Sequence, residues 1–213
     1  MKIPVGQTGE RGRLRQPVHP LDPMCESLVT PREEFFVHSR NAAPRIDAGQ
    51  FRLSVLGEVA RPRRFSLGEL RNRFPVTTIL STLRCRGDVC GAVRDHVAAN
   101  AIWGGIPLAE LLLAVGVRNS ARFALLTGFD WSLIEGRRRY YANAITIEKA
   151  LRPEVLLAFE MNGEPLPPEH GAPLRLIVPG EDGARAVKWL AEIRLAGFPR
   201  TGDRKHRLYN LLD

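Results

Sequence analysis

A mixed α+β domain, richer in strands than in helices, is the fold class this chain predicts. Three observations predict it. Short apolar runs with period-two alternation outnumber runs with helical spacing; the helical segments are short and carry their own stop residues; and no internal repeat or low-complexity linker divides the 213 residues. A chain of this length suits one large domain, able to bury roughly 70% of its unfolded surface. Its 44% hydrophobic and 25% charged residues are those of an ordinary globular protein, and no apolar run reaches the ~20 residues that cross a bilayer.

Residues 1 to 28, rich in Gly, Pro and Arg, read as an extended N-terminal arm, leaving 29 to 213 as the domain. In "TPREEFF", Thr30 as N-cap, Pro31 at the first helical position and Glu33 completing a capping box predict a short helical turn. "FRLSVLGEV" (51–59) alternates Phe51, Leu53 and Val55 with Arg52 and Ser54, the period of a half-buried strand ending at Gly57. Ser66 and Glu69 form a second capping box, opening a short helix that stops before Pro75. The β-branched and apolar run "VTTILSTL" (76–83) predicts a buried strand that delivers Cys85 to its end. "IPLAELLLAVGV" is a helix with Pro107 near its start and Gly116 as its stop, followed by a strand over "RFALLTG" (122–128). Further strands are expected in 154–163, 174–180 and 187–195, with the proline-rich "EPLPPEHGAP" between the first two as a loop.

The net charge of +8, mostly arginine, suits an anionic partner: nucleic acid, a phosphate-bearing cofactor or an oxyanion. The basic groups "RPRR" (61–64) and "RRR" (137–139) lack the aromatic interleaving of a single-strand-binding face, and there is no helix-turn-helix pattern, so they read as solvated loops rather than a nucleic-acid site. The N-terminus has no apolar core for a secretory signal and no twin arginine, which makes the cytoplasm the expected compartment unless the chain is a processed periplasmic form. Cys25, Cys85 and Cys90 cannot all pair within the chain.

Cys85 and Cys90 have only His96 as a nearby third ligand, too few for a structural zinc site, and four intervening residues, too many for a thioredoxin-type pair. A single thiolate ligand to a soft or high-valent metal centre and an inert buried cysteine both remain open. "GEDGAR" (180–185) is a glycine-rich turn whose amides, with Arg185 and Lys188, would suit an anion, or else an ordinary turn. Tyr140 and Tyr141 follow three arginines, a positive field in which a phenol holds its proton less tightly; packing of an interfacial ring is the other reading.

Taken in order, these segments resemble the molybdenum-cofactor domain of the sulfite oxidase family, which includes plant nitrate reductase and bacterial sulfite dehydrogenases. The resemblance is strongest over "EVLLAFEMNGEPLPPEHGAPLRLIVPGEDGARAVKWLAEI" (154–193), is supported by "TPREEFFVHSRNAAPRID", "FRLSVLGEVARPRRFSLGELRNRFP" and "STLRCRGD", and covers roughly residues 17 to 209. It implies molybdopterin, a pyranopterin dithiolene holding molybdenum, with Cys85 as the protein's thiolate ligand and Cys90 as a bystander. It places Tyr141 at the active site, and makes Arg185, Lys188, Gly183 of the turn and His170 candidates for holding the cofactor. Where the family reads Phe-Phe-Val-Arg-Asn-His this chain has "FFVHSR", so His38 replaces the substrate-facing arginine and Arg40 the cofactor-facing histidine. Where it reads Ala-Gly-Asn after the cysteine this chain has "RGD", bringing Arg86, a cation able to compensate for His38, and Asp88 to the metal loop.

The stretch from Cys85 to Trp103 is shorter than in animal or plant members, which implies a more open pocket, and no residues remain after "RKHRLYNLL" for the family's dimerisation domain, nor any for a haem domain. The implied activity is two-electron oxygen-atom transfer on a small oxyanion or S-oxide substrate, molybdenum cycling between Mo(VI) and Mo(IV), with Tyr141, His38 and Arg86 orienting the substrate and a separate electron carrier as partner. A non-catalytic domain of the same fold that binds the pterin or a protein partner is the alternative.

Overall fold

The computed structural model describes residues 28–85 and 97–198. Its elements, in order, are β1 (Arg52–Gly57), β2 (Arg63–Ser66), α1 (Leu67–Arg73), β3 (Thr77–Cys85), β4 (Val97–Pro107), α2 (Leu108–Val115), β5 (Phe123–Ile134), β6 (Arg137–Thr146), α3 (Ile147–Ala150), β7 (Leu156–Met161), β8 (Glu164–Pro165), β9 (Arg175–Ile177) and β10 (Leu190–Ala196), with 3-10 turns at Pro168–His170 and Gly183–Arg185. Strands dominate, as the α+β class requires.

One sheet runs β2-β1-β10-β5-β6; the other runs β3-β4-β7-β8, with β9 also paired to β7. A shared core holds them together: Leu53 and Val55 of β1, Leu126 of β5, Ile193 of β10 and Leu157 and Phe159 of β7 pack with Leu70 of α1 and Leu111 and Leu112 of α2. A second cluster, around Trp103 of β4, Leu83 of β3 and Phe35, lies under the second sheet.

The helices follow their sequence signals. Ser66 Oγ accepts from the Glu69 amide at 3.1 Å while the Ser66 amide donates to Glu69 Oε2 at 2.9 Å, so the second capping box forms as read. α2 stops at Gly116, whose φ is +73° and whose amide donates to the carbonyls of Leu112 and Leu113.

Two expectations change. The run at 76–83 is a strand but an edge strand, paired among the described residues with β4 alone, and Leu80 stays 49% exposed opposite the 39% exposed Ile102. Its β-branched residues fix the extended backbone and say nothing about cover on the outer face. The first capping box does not form. Thr30 Oγ accepts from the Asn100 amide instead, and the segment makes one turn, closed by the Phe35 amide on the Pro31 carbonyl at 2.9 Å. Pairing with β4 wins over the local cap. The readings on Cys25, Arg86, Asp88, Cys90 and His96, and on most of the N-terminal arm, lie outside the described residues.

Candidate active site

β3 brings Cys85, a free and half-buried cysteine, to its C-terminal end. The Gly183–Arg185 turn abuts that end: a Cβ on Gly183 would stand 2.8 Å from the Arg84 carbonyl oxygen, so only glycine lets the turn approach this closely. From the other side Tyr141 of β6 donates its hydroxyl to the Ala184 carbonyl at 2.6 Å, and Asn143 Nδ2 donates to the same oxygen at 2.9 Å. Cys85, the turn and Tyr141 therefore form one neighbourhood.

A bulge builds the next part. Between the pairs Thr127–Ala142 and Trp131–Tyr140, Gly128, Phe129 and Asp130 oppose the single Tyr141. Asp130 is thereby turned inward and is 4% exposed. Asn41 Nδ2 donates to its Oδ2 at 2.9 Å, whereas Oδ1 is buried without a hydrogen-bond partner among the described residues. Burial raises its carboxyl above the usual range, against the Asn41 bond, the pull of its own backbone amide and the charges of Lys188 and Arg40.

Lys188, half-buried, donates to Ser39 Oγ and to the Glu169 carbonyl, and its ammonium lies 4.6 Å from the Trp189 ring centroid. Burial first, then the Arg175 charge, pull it down to about 7. Arg175 on β9 is buried, donates to the His170 carbonyl at 2.8 Å and the Ala186 carbonyl at 3.2 Å, and stacks 4.8 Å from the Trp103 centroid. Burial brings it to about 9, still a cation at neutral pH, and its Nε has no hydrogen-bond partner among the described residues. The imidazole of His170 is buried edge-on to Phe35, held down to about 4 by burial and by Arg175, and bonded to the Arg32 backbone; it is neutral.

The segment 30–41 threads these pieces together, with Phe35 packed on Trp103 and His170, Ser39 on Lys188 and Asn41 on Asp130. His38 and Arg40 lie at its solvent-open part. Although much of His38 reaches water, partial burial and the charges of Lys188 and Arg40 lower its pKa, so the imidazole is a poorer cation than a free histidine.

Of the residues singled out in the sequence, Tyr141, His38, Arg40, His170, Gly183, Arg185, Lys188 and Cys85 are thus brought around one region, with three changes of role. Tyr141 holds its proton more tightly than a free phenol, because burial outweighs Arg40. The amides of Ala184, Arg185 and Ala186 are engaged within the turn by Asp182 and Gly183, so "GEDGAR" is not an amide nest for an anion. Arg185 is paired to Glu181, and Lys188 serves the His170 loop rather than this turn.

Asp130, Arg175, Asn41 and Asn143 were not singled out. A lone Asp in the apolar strand "ALLTGFDWSLI" and a lone Arg in "PLRLIVPG" were the available signals, since a charge inside a buried strand needs a reason.

Comparison with known proteins gives one answer. The family model for the oxidoreductase molybdopterin-binding domain matches residues 40–203. Chicken (Gallus gallus) sulfite oxidase is 35% identical over 190 residues, 83% of this chain and 41% of that protein. An NADH nitrate reductase of Ulva prolifera is 32% identical over 209 residues, 89% of this chain and 24% of that protein. The sulfane dehydrogenase SoxCD from Paracoccus pantotrophus superposes with a TM-score of 0.70 at 29% identity, covering 80% of this chain and 44% of that one. The chain therefore spans less than half the length of these three relatives.

Proposed function

The chain belongs to the oxidoreductase molybdopterin-binding domain family, and from that premise we propose that it transfers an oxygen atom, with two electrons, between water and a small oxyanion or S-oxide substrate. One observation carries the reading: half-buried Lys188, buried Arg175 and the buried Asp130, whose Oδ1 has no hydrogen-bond partner among the described residues, are linked through the 30–41 segment and the turn that abuts the strand end bearing a free thiol. Covered cations bonded to carbonyls rather than carboxylates suit an anionic group that completes them. The free thiol is the soft donor that a molybdenum centre takes from protein. The residues present therefore fit a phosphate-bearing dithiolene pterin.

In this reading Cys85 is the metal ligand, Lys188, Arg175 and His170 hold the pterin and its phosphate, and Asp130 takes a polar edge of the pterin. The bound molybdenum supplies the two-electron oxygen-atom exchange. Tyr141 holds its proton firmly and is no base; it donates to the substrate by releasing the Ala184 carbonyl, which keeps its Asn143 bond. Arg40 at the open side draws in the oxyanion, and His38, a weak cation, accepts or donates one hydrogen bond where the family's arginine would clamp with two. Trp103, fully buried and stacked on Arg175, excludes water from the floor. Arg86 and Asp88 join this set on the sequence alone. The cytoplasm remains the proposed compartment.

The experiment is metal and pterin analysis of protein made in a cofactor-competent host, with turnover on sulfite, sulfoxides and nitrate. Molybdenum and pterin in stoichiometric amount, lost on Cys85→Ser and kept on Cys90→Ser, are expected. Protein without molybdenum, tungsten or pterin would sink the reading. The weak cation at His38 favours the one alternative worth testing, a pterin-binding module without turnover; loaded protein inert toward all three substrates would establish it.

A further inference from the structure

Beyond the bulge the β5–β6 pair leaves its sheet. Among the described residues β10 pairs with β5 as far as Gly128, with one further bond from the Phe129 amide to the Trp189 carbonyl at 2.8 Å, so residues 131–140 form a two-stranded ribbon whose base is flanked by Asp130 and Tyr141. A two-residue loop closes it, Glu135 at φ 53° and Gly136 at φ 71°, the positive-φ pair that the twist of a tight hairpin demands.

Register sorts its side chains. Trp131 faces Tyr140 and Leu133 faces Arg138, all four on the face opposite to Tyr141. That outer face is unusual for a solvated hairpin. Leu133 is 63% exposed and Tyr140 50% exposed, while the Arg138 guanidinium lies 4.5 Å from the Trp131 ring centroid. Tryptophan, tyrosine and arginine are the side chains that dominate binding energy at protein interfaces, and the stack holds Trp131 and Arg138 in place before a partner arrives. Of the ribbon's arginines the register puts Arg138 on this face and Arg137 and Arg139 on the other, with Arg137 exposed beside the loop; the ribbon's one acid is Glu135, so the partner it attracts is acidic.

We propose that the outer face of this ribbon docks a one-electron carrier protein with an acidic surface. The proposal rests on the oxidoreductase reading. Adding an oxygen atom from water to the substrate releases two protons and two electrons, and the reverse consumes them; the carrier passes these electrons one per encounter at the edge of the site.

The test uses the cofactor-loaded chain and two probes, a plant-type ferredoxin as acidic carrier and a mitochondrial cytochrome c as basic carrier, with affinity measured by calorimetry at low and moderate salt. Ferredoxin should bind in a salt-sensitive way and cytochrome c should not. Arg138→Glu and Leu133→Asp should each weaken ferredoxin binding about tenfold or more. Arg64→Glu makes the same charge change on β2, at the opposite edge of the sheet, and should shift binding less than about twofold. Unchanged pterin content, thermal midpoint and turnover with hexaammineruthenium(III), a small cationic acceptor, show that the variants are folded and loaded. Equal losses for Arg138→Glu and Arg64→Glu, equal affinity for the two carriers, or a self-association that Leu133→Asp abolishes would each overturn the docking assignment. Turnover failure with intact, ribbon-dependent ferredoxin binding would count against the oxidoreductase reading alone.

Discussion

Lys188 holds the most informative charge in the site. Its ammonium, normally near 10.5, sits at about 7 in the cofactor-free protein, so between those values the unfolded chain binds a proton that the folded chain lacks. Stability of the cofactor-free protein should therefore rise as pH climbs through that window. An anionic group beside Lys188 restores the proton, so loading should take up a proton above neutrality and weaken as pH increases. Urea midpoints and pterin-release rates against pH, compared with Lys188→Met, check both effects; the variant should flatten both profiles. Tyr141 allows a cleaner separation of roles. The Ala184 carbonyl keeps its Asn143 bond when the phenol is lost, so Tyr141→Phe should cost only about 1 kcal/mol of stability while lowering kcat more than it raises KM. A change in KM alone would mean that the phenol only binds substrate.

At the scale of elements, local patterns show how far the sequence is legible. α1, α2, β1 and the ends of the later strands follow caps, stops and alternation that act within a few residues. β4 does not: "VAANAIWGGIP" is rich in Ala, Asn and Gly, poor strand formers, and is extended because β3 and β7 pair with it on both sides. β6 was hidden for the same reason, its arginines and alanines being ordered by β5. The site divides likewise. Cys85 and Tyr141 were reached through family resemblance, but the bulge that buries Asp130 and the pairing that sends Lys188 to the Glu169 carbonyl come from contacts distant in sequence. The Gly183–Arg185 turn carries a prediction at this scale. Gly183→Ala places a methyl 2.8 Å from a backbone carbonyl, which cannot swing away as a side chain would, so it should cost about 1–3 kcal/mol and reduce molybdenum content. Gly171→Ala should be worse than a clash alone suggests, because φ is +112° and the Lys188 Cβ and Cα stand at 3.1 and 3.2 Å. Thermal midpoints and metal-to-protein ratios of the two variants measure this.

Across the whole molecule, the 30–41 segment has no sheet of its own yet touches both. Thr30 binds Asn100 on β4, Phe35 packs on Trp103 and His170, Ser39 meets Lys188, and Asn41 reaches Asp130 on β5. It is a strap whose anchors are the site residues themselves, so the order of the strap and the occupation of the site are coupled free energies. Phe35 is its most deeply buried apolar anchor, 3% exposed, and Phe35→Ala should cost about 3–5 kcal/mol, mainly through the cavity left beside Trp103. If the strap merely covers a preformed site, that loss stays in stability, and pterin content at low temperature is unchanged. If it completes the site, Phe35→Ala also loosens Ser39 and Asn41, and cofactor is lost while the two sheets remain folded. The second outcome is expected, because Asp130 and Lys188 each take a side-chain partner from the strap. Amide exchange of loaded and cofactor-free protein decides it: protection should rise on loading at Phe35, whose amide bonds the Pro31 carbonyl, and change little in β1 and β7, where the shared core already fixes the backbone.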